Sequence, residues 1–218
     1  MRLKEQEIFF TRKELELMNF KNLGKNVLID RLTPIYKPEK ISIGSNVRIG
    51  SFCILSGDII IGDYVHIASY CFLNAGNFGI AIGDFVNIGS YSRLLCSSDD
   101  YSGESMVSEA VPEKFKNTIN GKIEVQKHSL IGSGVLIMPS VTLAQGSSIG
   151  AMSLVKDSTK PFGIYAGIPA KRIKERSKKI LKLERGFLNF ATHIVNYGGG
   201  VKHYKFKNLF LKKVKLCA

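Results

Sequence analysis

The sequence contains no apolar run long enough to span a bilayer and no recognisable signal peptide. We therefore expect a cytosolic protein in a reducing compartment. It has only four cysteines in 218 residues, and no two of them form a C-x-x-C pair. This absence argues against a zinc ribbon or a dithiol redox site.

Acidic side chains are scarce in the last part of the chain. Residues 156–218 contain sixteen Lys and Arg but three Asp and Glu, whereas residues 1–155 contain fifteen of each kind, so the net charge of +13 lies entirely in the later segment. A one-sided cationic segment indicates an anionic partner, such as a phosphorylated cofactor or a membrane surface. Nucleic acid is the weakest candidate, because no recognition module is visible and the cations are not interleaved with an exposed aromatic platform.

An aliphatic residue recurs at every sixth position over much of the chain. The members of this repeat are Ile43, Ile49, Leu55, Ile61, Ile67, Leu73, Ile82, Ile88, Leu94, Val125, Ile131, Ile137, Leu143, Ile149 and Val155. A small or β-branched residue follows each of many members four positions later, as at Val47 and Cys53. A six-residue period fits neither an α-helix nor a sandwich strand. It is typical of a parallel β-solenoid, in which each hexapeptide supplies one short strand and one turn.

Stacking of the coils predicts which residues become neighbours. Three hexapeptides close one triangular coil, so residues eighteen apart should lie above one another at about 4.8 Å. Cys53 and Cys71 have this separation and fall on inward-facing small positions. We therefore predict two stacked thiols in the core rather than a disulfide or a metal pair.

The repeat also suggests how the chain is organised. We predict an N-terminal cap over residues 1–40, the solenoid over 41–170 and a basic helix and tail over 171–218. Thr11 and Glu14 form a capping box, which predicts a short helix over about 12–20 that covers the first coil. A second helix is predicted over 171–190. A small bulge interrupts the repeat at 76–81, and an external loop leaves it at 95–124, a length that is often functional.

The stretch from Val125 to Arg176 resembles the C-terminal half of the hexapeptide-repeat acyltransferases, most specifically in the YAGIPAKRI segment at residues 165–173. The opening FFTRKELELMNFKNLGKNVLIDR and the loop SSDDYSGESM further resemble a subgroup that modifies the sugars of surface polysaccharides. The resemblance implies a mainly β protein that forms a left-handed parallel β-helix and a homotrimer. It also implies transfer of an acetyl group from acetyl-CoA to a hydroxyl or amine of a saccharide, a sugar nucleotide or a lipid-linked sugar.

The resemblance places CoA beside the exit from the solenoid, and the residue chemistry there agrees. Backbone groups can hold an extended pantetheine arm only where the side chains are small, and the phosphates of CoA call for cations. The expected cofactor-binding residues are Ser133, Gly134, Ala151, Lys156, Ala166, Gly167, Lys171 and Arg172. We expect no metal.

Acyl transfer requires a base that takes the proton of the attacking group. Many relatives carry a histidine for this role on the loop that leaves the solenoid, but residues 95–124 contain none. We predict His66 as the base, on a flat face where Arg48 and Asn87 should be its neighbours. His128, an Asp of the loop and a substrate-assisted route remain alternatives.

Polar residues around this base are candidates for the acceptor site. Ionised carboxylates accept hydrogen bonds from sugar hydroxyls, and the external loop supplies several. We predict catalytic roles for Asp99 and Asp100, which could orient His66 or hold the acceptor. The expected substrate-binding residues are Arg48, Asn87, Tyr101, Glu104 and His128.

Two other functional classes share this type of coil. A γ-type carbonic anhydrase needs three zinc-bound histidines, and only His66 and His128 lie in the repeat. A non-catalytic interaction solenoid would leave the YAGIPAKRI segment unexplained.

Residues 199–218 mix Lys with apolar side chains, so peripheral attachment to the inner face of an anionic membrane and packing against a neighbouring subunit are both open.

Overall fold

Residues 8–196, which a computed structural model describes, consist mainly of very short strands. In chain order the strands are β1 Asn22–Leu23, β2 Leu28–Ile29, β3 Ile35–Tyr36, β4 Ile41–Ile43, β5 Arg48–Ile49, β6 Ile54–Ile61, β7 His66–Ile67, β8 Phe72–Ile82, β9 Asn87–Ile88, β10 Arg93–Leu95, β11 Ser97–Ser98, β12 Ile119–Asn120, β13 Ile123–Val125, β14 Leu130–Ile131, β15 Leu136–Ile137, β16 Thr142–Leu143, β17 Ser148–Ile149, β18 Leu154–Val155, β19 Gly163–Gly167 and β20 Ala170–Glu175. The α-helices are α1 Arg12–Leu17 and α2 Lys179–Asn196, and 3₁₀ turns cover Pro38–Lys40 and Glu113–Phe115.

The strands wind into a parallel β-solenoid of about seven turns. Residues eighteen apart pair where the repeat is unbroken, as Arg48 does with His66 and Leu136 with Leu154. Every aliphatic residue of the sixfold repeat is at most 2% exposed, because each hexapeptide turns one aliphatic side chain into the coil, where it leaves water. The predicted mainly β solenoid is confirmed.

The predicted core thiols are confirmed as well. Cys53 and Cys71 are buried and free of disulfides. Their Sγ atoms donate to backbone carbonyls, that of Ala68 at 3.0 Å and that of Gly89 at 3.2 Å.

The solenoid begins earlier than the predicted boundary at residue 41. Strands β1, β2 and β3 already form a coil, since they pair in parallel with β4, β5 and β6. Helix α1 carries the predicted capping box of Thr11 and Glu14 and buries Leu15 in the core. It ends at Leu17, short of the expected residue 20, and Asn19 in the turn that follows has a left-handed backbone with φ of 58°, a conformation typical of helix C-termini.

Both interruptions of the repeat lie where the sequence indicates. In the first, β8 carries extra residues between Asn74 and Ile80 and bulges out of its pairing with β6. In the second, β11 and β12 form a short antiparallel ladder from Ser97–Asn120 to Ser98–Ile119. The external loop is therefore limited to residues 99–118, inside the predicted range of 95–124.

The predicted helix over 171–190 is wrong for its first eight residues, 171–178. Residues Ala170–Glu175 form β20, which folds back antiparallel on β19. This hairpin supplies hydrogen bonds to an edge strand that would otherwise be left unpaired. Arg176 anchors its end, because Nη1 donates to the carbonyls of His128 at 2.6 Å and Gly146 at 3.0 Å.

A boundary between two compact units lies between Ser177 and Lys178, and the described residues from Lys178 onward belong to the second unit. Its described element is α2, which starts eight residues later than the sequence predicts. No α-helix within residues 8–196 is long and apolar enough to cross a membrane. The predicted tail at 199–218 lies outside the described residues.

Candidate active site

One flat face of the solenoid carries a polar column formed by Arg48, His66 and Asn87. These residues open β5, β7 and β9, and the backbone register places them directly above one another. Each precedes a buried aliphatic residue, so its side chain projects outward from the sheet. The predicted stacking of His66 between Arg48 and Asn87 is confirmed.

His66 lies in a groove of about 370 Å³ on this face. The imidazole is half-buried, and its Nδ1 lies 3.0 Å from Oδ1 of Asn87. The groove is lined by, among others, Phe9, Arg48, Ser51, Ser69 and Ser90. An imidazole at the wall of an open groove has access to a bound acceptor, which a base requires.

The N-terminal segment builds one wall of the groove, which the sequence did not indicate. The Arg48 guanidinium lies 5.0 Å from the centre of the Phe9 ring, in a cation–π contact. Asp30 is buried and accepts hydrogen bonds from the Ser51 hydroxyl at 2.7 Å and the Leu32 N–H at 2.9 Å. These contacts restrain the side chains of Arg48 and Ser51. They depend on the N-terminal segment and the first coil, which the sixfold repeat did not predict.

Small residues form a continuous edge from this groove to the end of the solenoid. The edge consists of Ser51, Ser69, Ser90, Ser133, Ala151, Ala166 and Gly167, together with the glycines and Ala68 that precede several of them. Backbone hydrogen bonds connect its steps: Gly134 N–H donates to the Ser90 carbonyl at 2.8 Å, and Met152 N–H to that of Ser133 at 2.8 Å. The predicted small cofactor-binding residues Ser133, Gly134, Ala151, Ala166 and Gly167 therefore lie along one edge.

Two of the three predicted phosphate-binding cations lie where this edge ends. Lys171 and Arg172 are on β20, opposite Ala166 and Tyr165 of β19, and both are exposed. Arg172 forms an ion pair with Glu175, whose hydrogen bond raises the pKa of the guanidinium. Lys156 follows β18, which belongs to a different sheet from β19 and β20. The cofactor-binding role of Lys156 therefore stays a prediction.

Among the loop carboxylates, Asp100 is half-buried and is held by hydrogen bonds within its own loop. Asp100 accepts hydrogen bonds from the Ser102 N–H at 2.8 Å, the Ser102 hydroxyl at 2.9 Å and the Ser105 hydroxyl at 2.8 Å. The Ser102 backbone bond, followed by the hydroxyl bonds, lowers the pKa of Asp100. Asp99, Tyr101 and Glu104 are exposed on the same loop, and no hydrogen bond within residues 8–190 joins this group to His66.

His128 does not lie on the groove. It is 2% exposed, occupies a turn with φ of 63°, and stacks on Phe85 with 5.2 Å between ring centres. A side chain buried in this way is not placed to contact a substrate, so the predicted substrate-binding role of His128 is not retained.

His193 lies in α2. Among the side chains that the structure describes, no three His, Cys, Asp or Glu are grouped to hold a metal ion.

A hexapeptide solenoid with a small-residue edge and a cationic exit defines the class of hexapeptide transferases. The family described as Bacterial transferase hexapeptide (six repeats) matches residues 40–75. A dTDP-4-amino-4,6-dideoxy-D-glucose acyltransferase from Escherichia coli is 42% identical over 177 residues, which cover 80% of this chain and 92% of that protein. The chain belongs to the hexapeptide-repeat acyltransferases and is an enzyme of that class.

Solved structures show the same relationship. AntD, an N-acyltransferase from Bacillus cereus in complex with dTDP and 3-hydroxybutyryl-CoA, is 43% identical with a TM-score of 0.84, over 85% of this chain and 99% of that one. A serine variant of AntD, in complex with dTDP-4-amino-4,6-dideoxyglucose and coenzyme A, is 44% identical with a TM-score of 0.83, over 84% and 98%. Among sequence relatives, a protein described as a putative lipopolysaccharide biosynthesis O-acetyl transferase, from Escherichia coli K12, is 26% identical over 63% of this chain and 69% of that protein.

Proposed function

We propose that this protein transfers an acyl group from acyl-CoA to the 4-amino group of a dTDP-linked 4-amino-4,6-dideoxyhexose. The observation that carries the proposal is the continuous edge of small residues, which connects the groove of His66 with the exposed cations of β20. The sugar nucleotide and the CoA thioester bound by the similar AntD enzyme support the choice of acceptor and donor.

The edge matches the shape of the donor. In the proposed complex, Lys171 and Arg172 hold the phosphates of CoA, and Arg172 exchanges its Glu175 partner for them. The pantetheine arm extends along Ala166, Ala151 and Ser133. The coil of Ala166 is four steps of about 4.8 Å from that of His66, which brings the thioester of an extended arm to the groove.

The chemistry needs one proton acceptor at that point. As the amine nitrogen attacks the thioester carbonyl carbon, a C–N bond forms and His66 takes the proton that the nitrogen loses. The C–S bond then breaks, and the CoA thiolate accepts the proton from His66. The products are an amide on the sugar and CoA with a free thiol.

The acceptor site combines the groove with the external loop. The solved AntD variants change a serine and an aspartate ten residues after it. In this chain Ser90 and Asp100 have that spacing, as do Ser147 and Asp157, but Ser147 is completely buried. We therefore assign Ser90 and Asp100 to the acceptor amine. The neighbouring Asp99, Tyr101 and Glu104 are assigned to the sugar, and Arg48 to its diphosphate.

The test is a transfer assay with purified protein. We expect release of free thiol from acetyl-CoA or 3-hydroxybutyryl-CoA in the presence of dTDP-4-amino-4,6-dideoxyglucose, with the amide product identified by mass spectrometry. dTDP-glucose, which offers a hydroxyl at the same carbon, is the control for O-acylation. Acylation of the hydroxyl sugar alone, or of neither, would overturn the choice of acceptor. Activity that survives in His66→Gln would remove His66 as the base.

We also propose a homotrimeric, cytoplasmic enzyme of surface-polysaccharide synthesis that attaches peripherally to an anionic membrane. Helix α2 supports the attachment, because Leu183 and Phe190 are 70% and 63% exposed on a helix that also carries Lys179, Lys182 and Arg185. Wild type should sediment with phosphatidylserine vesicles, and the double variant Leu183→Gln, Phe190→Gln should not, while Asn189→Gln serves as the control. Equal sedimentation of all three proteins would refute the role of α2.

A further inference from the structure

Asn87 is the polar neighbour of His66 within the column on the flat face. Its Oδ1 lies 3.0 Å from His66 Nδ1, and strand pairing between β7 and β9 holds the two residues in register. We infer that Asn87 is a positioning residue, which holds the His66 imidazole in the form that carries its proton on Nδ1. This inference rests on the proposed function, in which His66 is the base.

The donor and acceptor chemistry of the column supports this role. A neutral imidazole has one N–H and one lone pair, and an amide oxygen can only accept, so the contact requires the proton on Nδ1. Arg48, on the other side of His66, offers only N–H donors. Leu130, the next residue beyond Asn87 in the column, has no polar side-chain atom to compete for the amide. Asn87 is therefore the acceptor that this column offers to the Nδ1 proton.

The consequence concerns the opposite ring nitrogen. With the proton on Nδ1, Nε2 carries the lone pair and is the atom able to take a proton in the groove. The sequence predicted Asn87 as a substrate-binding residue. The contact with His66 instead indicates that Asn87 acts through the base. Substitution of a positioning residue lowers the turnover number, whereas substitution of a substrate-binding residue raises the KM, so kinetics can distinguish the two roles.

Two substitutions at residue 87 separate acceptor chemistry from packing. Asn87→Leu keeps similar bulk but removes the acceptor. We expect kcat to fall by about ten-fold or more, a part of the 10²–10⁴-fold that a positioned base contributes, with the KM for acyl-CoA unchanged. Asn87→Asp can only accept, so we expect it to retain turnover. Because a carboxylate favours the imidazolium, it should also move the acidic limb of the pH–rate profile to higher pH. Ser148→Ala, an outward-facing change on β17 of the same sheet, is the control.

A spectroscopic measurement reads the same property without substrate. In ¹⁵N-histidine-labelled full-length protein, with the His66 signals assigned by comparison with His66→Gln, wild type and Asn87→Asp should show the Nδ1–H form. Asn87→Leu should shift toward the Nε2–H form. If Asn87→Leu keeps both the wild-type kcat and the Nδ1–H signals, the inference is wrong.

Two further outcomes are informative. Loss of turnover in Asn87→Asp with the Nε2–H form in wild type would show that the amide donates rather than accepts, which also overturns the inference. If wild type fails to acylate the amino sugar while its Nδ1–H form depends on Asn87, the proposed function fails and the positioning role stands.

Discussion

Glu14 is a single residue that secures the open end of the solenoid. Its Oε2 accepts hydrogen bonds from Arg31 Nη2, the Thr11 N–H and the Thr11 hydroxyl, each at 2.7 Å. The Arg31 bond, followed by the Thr11 bonds, lowers the pKa of Glu14 from 4.5 to about 2. The folded state therefore favours the ionised carboxylate, and the cap of α1 depends on that charge.

This linkage predicts how stability changes with pH in Glu14→Gln. A depressed folded pKa gives stability that is present above pH 4.5 and is lost as the pH falls toward about 2. The difference in Tm between wild type and Glu14→Gln should be largest near neutrality and should close across that window, as measured by circular dichroism. Glu16→Gln, which removes an exposed pair with Arg12, is the control. A Tm gap that does not vary with pH would contradict the prediction.

Gly132 illustrates how closely the coils approach at the small-residue edge. A Cβ on Gly132 would lie 2.6 Å from the Ala151 nitrogen, a backbone atom that cannot move aside without separating two coils. We predict that Gly132→Ala lowers the free energy of unfolding by about 1–3 kcal/mol, the usual range for overpacking, and weakens acyl-CoA binding. Denaturant titration and calorimetry measure the two effects. Ser133→Ala, at the exposed next position, should unfold like wild type, and equal stability of all three proteins would exclude this steric account.

The sequence predicts the spatial neighbours of some residues and not those of others. The neighbours of His66 were predictable, because the eighteen-residue rule needs only the phase of the repeat. The contacts of Phe9 and Asp30 were not, since they depend on a first coil whose members, such as Leu23 and Ile35, lie outside the phase that starts at Ile43.

At the scale of elements, the external loop is separate from the core. Its base is closed by the β11–β12 ladder, and most residues between 99 and 118 are exposed. None of the residues predicted to bind acyl-CoA along the edge of small residues belongs to the external loop. A change in the loop should therefore affect the acceptor without affecting the donor.

Replacing residues 100–117 with a short Gly-Ser linker tests this separation. We expect a Tm close to that of wild type and unchanged acyl-CoA affinity by calorimetry, but loss of transfer to the sugar nucleotide. Asp100→Asn, which keeps the loop, should have an intermediate effect on transfer. Loss of acyl-CoA binding in the linker variant would mean that the loop also forms the donor site.

Strand β20 is the element that the sequence predicted wrongly. Ile173 fits a helical stripe with Ile180 and Leu183 at the right spacing, and the local pattern therefore favoured a helix. In the structure Ile173 is 62% exposed, on a strand that pairs with the edge of β19. Backbone hydrogen bonds to an open edge outweighed local propensity, and such a long-range partner leaves no periodic signal in β20 itself.

At the scale of the whole molecule, the proposed active site needs a second wall. The groove of His66 and the small-residue edge lie on the outside of the coil, where a bound thioester would be exposed to water on one side. A neighbouring subunit can supply that wall. We expect an oligomer of roughly three times the 24.1 kDa chain by light scattering.

Subunit mixing tests whether the base and the loop meet across this interface. His66→Gln and the loop-replaced variant should each be inactive as pure oligomers. When the two chains are co-expressed, we expect a fraction of wild-type transfer to return, because one interface then combines an intact His66 with an intact loop. Purified mixtures that stay inactive, although mass spectrometry shows both chains in one oligomer, would place both groups within one subunit.

The sequence by itself determined the solenoid, its inward residues and the order of the column that contains His66. A strict repeat makes each coil depend on its neighbours alone, so local phase is sufficient. Only the tertiary structure decided where the solenoid begins, that residues 170–175 form a strand, and that His128 is buried. Each of these features depends on contacts between segments that do not share the sixfold repeat. The free energy gained by pairing an edge strand or by burying an imidazole ring comes from partners distant in the chain.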